Sequence, residues 1–224
     1  MTESNTFHLS NVAGDSIAFY PPKSVIITYG DLADEKPKGV LRLSLTTDLG
    51  KNWRDVELPL PKRYQNDLCV PFEPVFLDRR NMVLAAHVFK STTNNGYLNG
   101  TLIFYTSIDG GATWTAKRGM IDVKKPWGYG FKVVSPECFF IANGSDICVT
   151  HDGARTWQTI TPNISFGGNS KRDIVRMEFL DTRHGWLIIS DNNGFHPDGN
   201  CILYRTSDGG KNWTELPVRI LINT

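Results

Sequence analysis

Residues 206–213 read TSDGGKNW, and the same eight-residue pattern stands three more times, as TTDLGKNW at 46–53, SIDGGATW at 107–114 and THDGARTW at 150–157. The common form is Ser or Thr, any residue, Asp, any residue, Gly, any residue, Thr or Asn, then Trp. The aspartates, Asp48, Asp109, Asp152 and Asp208, are separated by 61, 43 and 56 residues. Spacing of this kind marks one supersecondary unit per repeat. The third copy departs from the pattern, with Ala154 where the others carry Gly50, Gly111 and Gly210. Gly153, just before it, is expected to absorb the turn.

The residue types explain the pattern. An Asp carboxylate accepts hydrogen bonds from backbone N–H groups of its own tight turn. Glycine supplies a backbone conformation that a Cβ opposes. The Ser or Thr hydroxyl adds a second local bond, and the Trp (Trp53, Trp114, Trp157, Trp213) carries a large apolar surface into the packing. Every part closes a hairpin, so the four aspartates read as structural.

Aligning backwards from each repeat gives the same order of short runs four times. First strands read SIAFY, PVFL, FKVV and VRMEFL; second strands SVIITYG, NMVLAAHVF, CFFIAN and WLIIS. Third strands run into the repeat, and a more polar fourth strand follows each Trp (RDVELPL, TAKRGM, QTITP, TELPV). Short runs rich in Val, Ile, Phe and Tyr between Gly, Pro, Asn and Asp, with no long helical period, predict an all-β chain. Four four-stranded sheets account for nearly all of it, as a single domain over 1–224 with blades at about 15–60, 72–119, 129–162 and 174–218. NTFHLSNV at 5–12 adds one extra N-terminal strand.

The eight-residue pattern resembles the Asp box, or BNR repeat, of sialidases, sortilin-type receptors and photosystem II assembly factors. MEFLDTRHGWLII (177–189) is especially similar to blades of the assembly factors. The resemblance implies a β-propeller with the boxes on the rim away from the ligand. Its exported and lumenal members imply a cell-envelope or extracellular setting if a signal has been removed, and the cytoplasm otherwise. A closed four-blade ring, an open arc and one half of a larger ring all remain open at this stage.

In such a fold the loops joining strand two to strand three, and each blade to the next, open on the face opposite the boxes. Three of the former are long: 30–39, 90–100 and 191–200. Loops on a rigid scaffold commonly carry function. Eight of the 24 basic residues fall in the blade-to-blade connections, among them Lys62, Arg63, Arg118, Lys124, Lys125, Lys171 and Arg172. Tyr64, Trp127 and Tyr129 lie among them, and His196 stands in the last long loop. Arg and aromatic side chains are common interface anchors, so this rim is expected to meet a protein partner with an acidic surface. A glycan is the second expectation. Ordinary exposed loops are also rich in Lys and Arg.

Other classes find less support. A net charge of +1 and the absence of a recognised motif argue against nucleic acid. No run of about 18 apolar residues, the length that would span a bilayer, occurs in the sequence. Four cysteines without a CxxC pair and five scattered histidines give no zinc pattern, and buried thiols are the expectation. Asp191, Asn193 and Asp198 could offer oxygen ligands to Ca²⁺, but the full ligand pattern is missing and a polar turn is expected. No GxSxG, HExxH or phosphate-binding loop occurs. The sialidase resemblance implies three arginines around a carboxylate and an Arg-Ile-Pro motif, yet that motif is absent and SIAFYPP holds no arginine. A binding module without a catalytic centre is therefore the leading expectation, with a sialidase-like glycosidase or a glycan binder behind it.

Overall fold

The computed structural model describes residues 16–21, 23–29, 39–90, 99–117, 119–124, 130–164, 174–190 and 201–220. The extra strand expected at 5–12 lies outside them. The chain forms a β-propeller of four antiparallel sheets laid out in sequence order. The first holds β1 (Ser16–Tyr20), β2 (Ser24–Tyr29), β3 (Val40–Thr46) and β4 (Arg54–Pro59). The second holds β5 (Leu68–Pro71), β6 (Val75–Phe76), β7 (Met82–Phe89), β8 (Asn99–Ser107), β9 (Thr115–Ala116) and β10 (Ile121–Lys124). The third is β11 (Phe131–Val133), β12 (Phe139–Asn143), β13 (Asp146–Thr150) and β14 (Gln158–Ile160). The fourth is β15 (Ile174–Phe179), β16 (Gly185–Ser190), β17 (Cys201–Thr206) and β18 (Thr214–Ile220).

The second blade differs from its expected outline of 72–119, because its first and fourth strands are each broken. Pro71 pairs with Ala86 and Val75 with Val83, so four residues advance on one side against three on the other. The extra residue is a bulge around Glu73 and Pro74, where proline has no N–H to give the ladder. Likewise Ala116 pairs with Tyr105 and Ile121 with Leu102, leaving two surplus residues around Gly119. The blade thus runs from Leu68 to Lys124, and Lys124 belongs to a strand opposite Asn99, not to the connection where its spacing placed it.

Burial follows from blades packing face to face. The second blade is covered on both sides, so β7 (MVLAAHVF) is buried at every position and reads as a continuous apolar run with small alanines between. Three apolar cores result. Ile26, Leu43 and Leu45 of the first blade meet Met82, Leu84 and Tyr105 of the second. Val83, Ala85 and Phe104 of the second meet Phe139, Ile141 and Ala154 of the third. Phe140 and Ile147 of the third meet Met177, Phe179 and Leu187 of the fourth, with Phe140 and Phe179 stacked at 3.6 Å between ring centroids. Two polar contacts pin the first of these seams. Tyr105 donates its hydroxyl to the Pro59 carbonyl at 2.9 Å, and the Arg54 guanidinium donates to the Gly111 carbonyl at 2.8 Å. All four cysteines are buried, as expected of small apolar residues.

Candidate functional site

The four boxes share one hydrogen-bond circuit. The hydroxyl of Thr46, Ser107, Thr150 or Thr206 donates to Oδ1 of the aspartate two residues on, at 2.8–2.9 Å. The same hydroxyl accepts the N–H of Gly50, Gly111, Ala154 or Gly210. Oδ1 also accepts the N–H of Asn52, Thr113, Thr156 or Asn212, and Oδ2 accepts that residue's side chain. These bonds satisfy the charged form. For Asp48 and Asp208 the backbone N–H of the fourth residue on contributes most, for Asp109 and Asp152 its side chain does. Asp48, Asp109 and Asp208 are held at about 2, and Asp152 lies well below the usual carboxylate range.

Each circuit needs two successive residues at positive φ: Leu49 and Gly50, Gly110 and Gly111, Gly153 and Ala154, Gly209 and Gly210. The expectation that Gly153 relieves Ala154 is corrected here. Gly153 occupies the first of the two positions, and Ala154 still adopts φ 66° with its methyl buried against the second blade. The N–H of the first residue in each pair donates to the turn between strands one and two of the same blade, at Lys23, Arg80, Glu137 and Arg183. Boxes and those turns therefore occupy one rim, fully bonded within themselves. The indoles of Trp114 and Trp213 close back on their own boxes, donating to Gly111 and Gly210 carbonyls. Trp157 lies against Phe104 at 5.3 Å between centroids, and its Nε1 has no partner among the described residues.

The first strands of all four blades converge on a cavity of about 390 Å³ along the propeller axis. Phe19 and Tyr20 come from the first blade, Phe72, Glu73 and Phe76 from the second, Phe131 and Lys132 from the third, and Arg176 and Glu178 from the fourth. Aromatic surface thus stands beside charge. Glu178 pairs with Lys132 across a blade boundary and with Arg176 at 3.5 Å along its own strand. These charged side chains remain about one-third to three-fifths exposed, so solvent screens the pairs and a ligand can compete for them. The sequence signal for this cavity was weak, because its residues are spread over some 160 positions. Only the alternation of the first strands, once laid in a ring, marks them.

The rim residues expected to bind a partner are only partly brought together. Lys62, Arg63 and Tyr64 form one 3-10 turn between the first and second blades, opposite the box rim. Arg63 lies over the Tyr64 ring at 4.6 Å, and its guanidinium reaches the Met120 sulfur at 2.8 Å. Tyr64 is half-buried against the first core, leaving Lys62 and Arg63 to face solvent. Lys117, the eighth of the basic residues in the blade-to-blade connections, lies beside Gly153 of the third box instead, on the opposite face. Arg118, Lys125, Trp127, Tyr129, Lys171, Arg172 and His196 lie outside the described residues, as does the Asp191 to Asp198 loop considered for Ca²⁺. Among the described residues no group of three or more His, Cys, Asp or Glu is placed to hold a metal ion, and no helix is long and apolar enough to cross a membrane.

Comparison with known proteins is consistent with this architecture. Residues 103–221, just over half of the chain, match the family model Sortilin-Vps10, described as sortilin, neurotensin receptor 3. No curated protein matches the sequence. Among solved structures, the α-L-arabinanase of Penicillium chrysogenum is similar with a TM-score of 0.57 at 12% identity, over 90% of this chain and 65% of that one. An ulvan lyase bound to its saccharide gives a TM-score of 0.62 at 11% identity, over 92% of this chain and 55% of that one. The sialidase of Trypanosoma rangeli, in complex with the inhibitor DANA, gives 0.50 at 14% identity, over 90% and 37%. Likeness at this identity speaks for the fold. The chain spans less than two thirds of the length of each of these structures.

Proposed function

This chain belongs to the Sortilin-Vps10 family, and from that premise we propose that it is a non-catalytic binding propeller that takes a segment of a protein partner at its axial cavity and the loop rim around it. The observation that carries the proposal is the cavity itself, with aromatic surface from the first three blades beside a charged triplet that spans the third and fourth. Aromatic rings offer contact area at low entropic cost, and half-exposed charges give orientation. The family's description names a receptor, which agrees with a binding role. The expected arginine clamp of sialidases has little to build on, since Arg176 is the single arginine among the cavity's described lining residues.

A second reading, glycan cleavage, draws on the two carboxylates in the cavity, Glu73 and Glu178. Glu178 is already engaged by two cations, Lys132 and Arg176, which leaves its oxygens occupied. A photo-crosslinking amino acid placed at Glu73, with Leu49 on the box rim as control, tests the binding proposal. Covalent capture of a partner from Glu73 and none from Leu49 supports it. Capture from Leu49 alone, or turnover of fluorogenic sialoside or arabinoside, overturns it.

A further inference from the structure

In all four blades the turn between strands one and two meets the box at the same register position. Lys23, Arg80, Glu137 and Arg183 hold that position, each giving its carbonyl to the N–H of the first positive-φ residue of the box. At the second seam the neighbours in this register are Arg80 and Glu137, and at the third Glu137 and Arg183, opposite in sign each time. At the first seam they are Lys23 and Arg80, both basic, and Arg79 adds a third cation beside them.

These three side chains are exposed and line one groove of about 390 Å³ between the first two blades, on the box rim. Tyr20 is a wall shared with the axial cavity, its ring held on Phe76 at 5.5 Å between centroids. The carboxylates at hand are already engaged. Asp109 accepts the Ser107 hydroxyl and both the N–H and hydroxyl of Thr113, closing its own box. Asp78 accepts the N–H groups of Arg80 and Asn81 and the Asn81 side chain. Lys23 and Arg79 pair with no carboxylate among the described residues. Arg80 is anchored through Nε to the Ile108 carbonyl at 3.2 Å, which aims its guanidinium. A cleft lined by charge of one sign repels itself and concentrates counter-ions.

We propose that this groove binds the phosphate or sulfate group of a small molecule. Three cations against the one carboxylate of Asp109 leave the lining with two positive charges in excess, which matches a dianion. The whole chain carries only +1, so the excess is local. Guanidinium forks fit the oxygens of a tetrahedral anion, and Ser24 and Thr47 bring hydroxyls to the same lining. The volume lies within the range of small-molecule sites and exceeds what a bare oxyanion fills, which leaves room for the body of the ligand.

Titration calorimetry of the whole chain at low ionic strength and about pH 8, where a phosphate ester is fully charged, reads this site directly. The probes are inorganic phosphate, inorganic sulfate, glucose 6-phosphate and glucose 6-sulfate. At least one sugar ester is expected to bind about tenfold tighter than its inorganic ion, and the tighter ester assigns the group. Lys23→Gln combined with Arg79→Gln is expected to weaken that binding at least about tenfold with an unchanged melting temperature. Lys51→Gln on the same rim, and Lys132→Gln combined with Arg176→Gln in the axial cavity, are expected to leave it unchanged. No ester binding below about 10 mM, esters no tighter than the inorganic ions, unchanged affinity in the Lys23 and Arg79 variant, or an equal loss in either control overturns the proposal.

Discussion

A Cβ placed on Gly119 would collide with the carbonyl oxygen of Ala154 and lie 2.8 Å from that of Arg155. The bulge that breaks the fourth strand of the second blade thus presses bare backbone against the third box. The equivalent carbonyls of Gly111 and Gly210 accept an indole N–H, whereas in the third box Gly119 crowds this site and Trp157 turns to Phe104. Gly119→Ala is expected to cost about 3 kcal/mol or more, because backbone on both sides must move. Gly144, at φ 69° with open space around it, is the control, and its alanine variant should cost about 1 kcal/mol through backbone strain alone. Urea unfolding of the two variants measures the difference.

Leu49 and Ala154 are the described non-glycine residues at positive φ, and their surroundings set opposite expectations. Leu49 is exposed, so Leu49→Gly relieves strain and loses no burial, and should raise stability by about 1 kcal/mol. Ala154 is buried, so in Ala154→Gly the relief is offset by the lost methyl contact of about 0.8 kcal/mol. That variant should unfold within a few tenths of a kcal/mol of wild type.

The indole N–H of Trp213 is bonded, and that of Trp157 has no partner among the described residues. Trp213→Phe should therefore lose about 1 kcal/mol beyond its change in size, since it strands the Gly210 carbonyl. Trp157→Phe removes an N–H that has no partner among the described residues and should cost less. Thermal melts of the pair check the order.

His87 is buried beside Gly100 and stacked on Phe89 at 4.9 Å, and its Nε2 has no partner among the described residues. Burial pushes its pKa down from 6.5 to about 4. The folded state therefore refuses a proton that the unfolded chain accepts. Its neutral form has no such penalty above pH 6.5, and stability should fall as pH drops from about 6.5 towards 4, by about 3 kcal/mol in all. His87→Phe should flatten that limb. The box aspartates act lower: their pKa values are depressed, so their contribution is present above the ordinary carboxylate value and is lost as pH falls towards about 2. Unfolding midpoints followed from pH 8 to pH 3 (about the range in which these groups titrate) separate the two limbs.

Much of this architecture is legible in the sequence because the box packs its signal into eight contiguous residues. Asp48, Asp109, Asp152 and Asp208 set the blade register, and the strands follow within a few positions. The bulges at Glu73 and Gly119 are less legible, since they depend on how many residues face each other across a ladder. Ala154 at positive φ contradicts local preference and is tolerated where the second blade covers it. The cavity is the least legible feature. Phe72, Lys132 and Glu178 belong to different blades, and ring geometry rather than any motif brings them together.

The central claim is that a protein partner is held at the axial cavity and not at the boxes. Titration calorimetry of the partner captured through Glu73, against wild type and against Lys132→Gln combined with Arg176→Gln, tests it most directly. The account predicts at least about a tenfold loss of affinity, with an unchanged melting temperature, and no loss in a Lys51→Glu variant on the box rim. Unchanged affinity in the cavity variant, or a comparable loss in the Lys51 variant, would contradict it.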